Sequence, residues 1–176
     1  MRNCVTEPAH QNVLVIGWGN ELLGDDAAGR RVAQALEEES LPGVEVVDVH
    51  QLTPELALRL VGTACVIFVD ACPAAEHQGI QLQRLAATEP GEHHAGVGHT
   101  GRPEGLLAMA DELYGARPEA WLVAVPARSF EPGDPLSETV RAGIVDAVEA
   151  VKRLARGDGA AGAAVVNAGT LNECAG

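Results

Sequence analysis

Aromatic side chains are nearly missing from this chain. Phe, Trp and Tyr make up 3% of it, while 47% of its residues are hydrophobic. A core must therefore be assembled from Ala, Val and Leu. Positive charge is also short: 12 Lys and Arg stand against 25 Asp and Glu, a formal net charge of −13. That balance argues against a nucleic-acid groove, which needs clustered Lys and Arg against phosphate. It equally disfavours docking on an anionic membrane. No run approaches the roughly 18 apolar residues of a membrane span. Residues 1–11, MRNCVTEPAHQ, carry no apolar stretch of the secretory-signal kind. Cys4, Cys65, Cys72 and Cys174 form no C-x-x-C pair, so neither a zinc clip nor a redox motif is indicated. Cys65 and Cys72 flank a candidate strand and read as small buried hydrophobes, which points to a reduced, cytoplasmic setting. Serine is scarce and no G-x-S-x-G elbow occurs, which disfavours a serine hydrolase.

What the chain does contain is an alternation of short apolar runs and amphipathic stretches. Residues 13–17 (VLVIG) read as a strand buried on both faces. Residues 25–39 have helical spacing and stop at Pro42-Gly43. VEVVDV (44–49) is a second strand. A short helix follows near residues 54–61, with Thr53 as N-cap and Pro54 at the first helical position. ACVIFV (64–69) is a third strand ending at Asp70, and GIQLQRL (79–85) alternates like a half-exposed edge strand. A loop rich in Gly and His over residues 88–102 leads to a helix opened by Pro103 and closed by Gly115. AWLVAV (120–125) is the last strand. Residues 137–154 form an amphipathic helix with Val140, Ile144, Val148, Val151 and Leu154 on one face. The expectation is an α/β fold: a three-layer α/β/α sandwich with a mostly parallel sheet of about five strands. It occupies residues 1–156 as one domain, with an Ala/Gly-rich loose tail over 157–176.

In open α/β sheets ligands bind at the carboxyl ends of strands. Asp25-Asp26 follows the first strand and Asp70 ends the third. Right-handed crossovers bring those strand ends together. His99 lies in the loop before the Pro103 helix, free to approach from above. Two carboxylates and an imidazole suit a divalent transition metal with positions left open. Blander roles compete: Asp25 or Asp26 as a helix cap or an acid favoured by the helix dipole, and Asp70 as the cap of a loop. His10, His50, His77, His93 and His94 read as solvated loop residues. Gly17-x-Gly19 is a weak dinucleotide signal, because the third glycine of that pattern falls at Leu22.

Taken together, GWGNELLGDDAAG (17–29), FVDAC (68–72) and HTGRPEGLL (99–107) resemble the nickel-iron hydrogenase maturation endopeptidases. The likeness in layout runs from about residue 12 to residue 154. It implies cleavage of a short C-terminal extension from the hydrogenase large-subunit precursor after nickel has entered that precursor. It also implies that Asp26, Asp70 and His99 contact the metal and carry the reaction, with Asp25 the structural member of its pair. The nickel is then supplied by the substrate, and the protease alone is largely metal-free and monomeric. Three departures stand out, the third being the Ala/Gly-rich tail after Gly157, which has no counterpart in the pattern. Ala27 replaces the Gly that often follows the acid pair, and HQLT (50–53) replaces a glycine-rich GGT segment. The second resembles the branch serving cytoplasmic bidirectional or NAD-linked hydrogenases, and it places His50 where it can line the cleft. The same three side chains also fit a non-catalytic nickel-sensing chaperone of the large subunit. A free-standing metallohydrolase ranks last, because no dedicated general base is evident apart from Asp25 or the histidines.

Overall fold

The computed structural model describes residues 12–74, 79–85 and 101–158, with the backbone of 164–165. Its centre is β1 (Val13–Trp18), all six residues of which are buried. Beta-branched and leucine side chains covered on both faces are what a central parallel strand requires. β1 pairs in parallel with β2 (Val44–Val49) on one side and β3 (Cys65–Pro73) on the other. β5 (Glu119–Ala127) lies parallel to β3, and β4 (Gln81–Leu85) runs antiparallel to β5. A two-residue β6 (Ala164–Val165) pairs with β4, so the order is β2-β1-β3-β5-β4-β6. The mostly parallel sheet of five principal strands matches the sequence expectation. β6 falls inside the segment read as a tail.

Helices α1 (Ala28–Glu39) and α3 (Glu138–Ala155) cover one face of the sheet. There Val15, Ile67, Val69 and Val125 pack with Val32, Leu36, Val140 and Val151. A 3₁₀ helix (Pro54–Leu60) and α2 (Pro103–Tyr114) cover the other face. Leu14, Ile16, Phe68 and Leu122 pack there with Leu60, Leu106 and Ala110. The scarce aromatics are used locally: Trp18 and Phe68 meet edge-on, with centroids 6.2 Å apart, at the carboxyl end of β1 and the middle of β3. Among the described residues no helix is long and apolar enough to cross a membrane.

Several expectations are corrected. The helix expected from residue 25 starts as a 3₁₀ turn (Gly24–Ala27) and becomes α-helical only at Ala28; no side chain caps either segment. Thr53 precedes its helix but makes no side-chain capping bond. β3 continues three residues past Asp70. β4 is not half-exposed: Gln81, Leu82, Gln83 and Leu85 are buried and only Arg84 faces solvent. Cys65 is buried and free as expected, and burial pushes its thiol up to about 11. Cys72, also buried, is disulfide-bonded, against the reduced state expected for it.

The layers meet closely because three glycines allow it. A Cβ on Gly17 would be driven into the carbonyl of Gly29, one on Gly29 into the carbonyls of Val69 and Trp18, and one on Gly19 into that of Asp26. Gly29 thus lets the first turn of α1 sit directly on the ends of β1 and β3. The glycines that suggest a phosphate loop serve backbone contact instead. Gly29→Ala is expected to destabilise the protein by about 2–3 kcal/mol through overpacking, read as a lowered urea midpoint. Gly101→Ala, where an added Cβ meets nothing within 4 Å, is expected to change the midpoint little.

Candidate active site

The crossovers leaving β1 and β2 lie on opposite faces of the sheet, so β1 and β3 flank a switch point, the usual ligand crevice of an open α/β sheet. β1 and β3 pair only as far as Gly17↔Val69. Asp70 is the next residue and pairs only toward β5, with Ala124. On the other lip, the chain leaves β1, turns through residues 19–23 and enters the 3₁₀ turn that carries Asp25 and Asp26.

Asp26 is half-buried, and its Oδ2 accepts the Asn20 N–H at 2.6 Å. Asp70 is 7% exposed, and its Oδ1 accepts the Ala71 N–H at 2.8 Å. Each carboxylate therefore has one oxygen fixed by a backbone donor. The other oxygen has no hydrogen-bond partner among the described residues. Burial pushes the Asp70 carboxyl well above the usual carboxylate range. The Ala71 N–H opposes that shift, and the nearby charge of Asp26 adds to it. A buried acid beside a second carboxylate is relieved of both penalties by a bound cation.

Asp25 does the opposite job. It is fully buried, with Oδ2 accepting the N–H groups of Arg128 (2.7 Å) and Ser129 (3.2 Å) and Oδ1 accepting that of Ser137 (2.6 Å). Its own N–H donates to the Ser129 carbonyl at 2.9 Å. Burial alone would raise this carboxyl, but the Ser137, Arg128 and Ser129 donors outweigh it and hold the group below the ordinary value. Asp25 thus pins the 3₁₀ turn to the segment joining β5 to α3. It was expected to be structural, but its partners lie 103 to 112 residues away and not within its own turn.

His99, with His10, His77, His93 and His94, lies outside the described residues. His50 is exposed just after β2. Among the described residues no group of three His, Cys, Asp or Glu side chains stands ready to hold a metal. Asp26 and Asp70 are brought together. Two fixed carboxylates, each with an oxygen unpaired among the described residues, fit a hard or borderline divalent cation.

No family model and no curated protein matches the chain. Solved structures do. A hydrogenase 2 maturation peptidase from a Thaumarchaeota archaeon is 31% identical, with a TM-score of 0.63 over 83% of this chain and 98% of that one. The chain belongs to the hydrogenase maturation protease family. The hydrogenase maturating endopeptidase HybD from E. coli is 29% identical, with a TM-score of 0.64 over 84% and 94% of the two chains. The NiFe hydrogenase maturation protease HybD from Thermococcus kodakarensis is 26% identical, with a TM-score of 0.65 over 82% and 99%. Membership of this protease family makes the chain a peptidase.

The two acids of the pair should separate experimentally. Asp25→Ala strands three backbone donors and is expected to cost about 2–4 kcal/mol. The stabilisation from Asp25 is complete above the unfolded carboxyl value of about 3.9. It is lost as pH falls through the depressed folded value, so Asp25→Asn should flatten the acid limb of a stability–pH curve below about pH 4. Asp70 has the opposite sign: its raised folded value penalises the ionised fold as pH rises above about 4. Asp70→Asn keeps an oxygen for the Ala71 N–H and is expected to match or exceed the wild-type thermal midpoint at neutral pH.

Proposed function

We propose that this protease removes the C-terminal extension of a NiFe hydrogenase large-subunit precursor, and that it reads the nickel already installed in that precursor through Asp26, Asp70 and His99. The observation that carries the proposal is the pair of carboxylates at the β1/β3 switch point, each held by one backbone N–H with its second oxygen unpaired among the described residues. Such supporting bonds orient ligands before the ion arrives. With His99 as the imidazole donor, three protein ligands leave coordination positions for groups of the precursor. A precursor lacking nickel then has nothing to hold its scissile peptide against the site. The peptidase relatives favour cleavage over an escort role.

The ion belongs to the substrate. Burial raises the Asp70 carboxyl above the ordinary value, so protons compete with the ion for it. Processing is therefore expected to weaken on the acid side as the proton competes with the ion. Incubation with nickel-loaded precursor should shorten it by its C-terminal peptide, read by mass spectrometry, while nickel-free precursor stays intact. Asp26→Asn and Asp70→Asn should fold yet process at least about 10–100-fold more slowly, the loss that follows even from removing a ligand's support. Stoichiometric tight nickel in the purified protein without precursor would defeat the proposal, as would equal cleavage of both precursors.

A further inference from the structure

The sequence pattern of β4 places Gln81 and Gln83 toward solvent, and the structure buries both. Gln81 is 7% exposed, and its side-chain carbonyl oxygen is buried without a hydrogen-bond partner among the described residues. Burying an unpaired amide oxygen costs free energy that an apolar side chain would not. A position that keeps such a group invites a reason outside the free protein.

Its place in the sheet supplies one. Asp70 is in register with Ala124 on β5, and Ala124 with Gln81 on β4. Register partners project to the same face of a sheet. That face is the one carrying Phe68, Leu122 and Leu85, two to four positions away along the same three strands. Asp70 and Gln81 therefore stand on either side of Ala124, whose methyl group leaves the space between them low. A small recess beside Gln81 and Ala124 is bordered further by Cys72 and Pro126, beyond Asp70 along β3 and β5. Two strand spacings put the Cα atoms of Gln81 and Asp70 about 10 Å apart, the length of roughly three residues of extended peptide.

We propose that Gln81 is a substrate-positioning residue: its side-chain carbonyl accepts a peptide N–H of the precursor about three residues from the scissile bond. The inference rests on the proteolytic reading of the Asp26–Asp70 site.

Gln81→Met keeps the length of the side chain and removes the acceptor. It is expected to raise KM for nickel-loaded precursor about 10-fold with kcat within about 2-fold, because the lost bond serves bound substrate and transition state alike. The thermal midpoint of the free variant should equal or exceed that of wild type, since an unpaired buried oxygen is gone. Unchanged KM overturns the inference and leaves the oxygen to water alone; a lowered midpoint overturns it by giving Gln81 a structural role. If wild-type protein does not cleave the precursor, the proteolytic reading fails, and Gln81 is judged by the Kd for the same precursor. Weaker binding by Gln81→Met then supports the positioning role, while equal binding, or no binding by wild type, overturns it.

Discussion

A single buried carboxylate holds the site in shape. Asp25 joins the turn after β1 to the segment between β5 and α3 by accepting three backbone N–H groups and donating its own. A charge with no exposed surface is tolerable only because those donors replace its water. Remove them and the 3₁₀ turn loses its anchor, and with it the aim of Asp26. The three glycines at 17, 19 and 29 act to the same end by allowing backbone to touch backbone where any side chain would hold the layers apart.

Around that anchor the protein carries groups that weaken the free fold. Asp70 sits where burial disfavours its charge, two residues beyond the Trp18–Phe68 contact, and Gln81 hides an oxygen without a partner among the described residues. Asp25 has three distant backbone donors and Asp70 only the one from Ala71, although both are buried aspartates. Buried polar groups left short of partners cost a fold stability. Here they lie on either side of β5, Asp70 on β3 and Gln81 on β4, with Ala124 between them.

Much of the fold was legible. β1, β2, β5, α2 and α3 follow from apolar runs, helical spacing and the Pro103 and Gly115 punctuation, all local signals. The motif stretches carried the family, and the two acids that the fold brings together, Asp26 and Asp70, were among those singled out. The misses share one cause. β3 runs past Asp70 because β5 supplies a partner there after β1 has stopped. β4 reads as an edge strand, yet it lies between β5 and β6 with its glutamines covered. The 3₁₀ start of the first helix answers to Asp25's distant partners and not to a cap.

By itself the sequence determined which residue types stand at which strand ends, since periodicity and strand polarity act over a few residues. Only the tertiary structure decided that, of two adjacent aspartates, Asp25 turns inward to bind the backbone while Asp26 keeps an oxygen free. The physical reason is that a carboxylate's role is set by the donors that reach it. Donors more than a hundred residues away leave no trace in the local pattern.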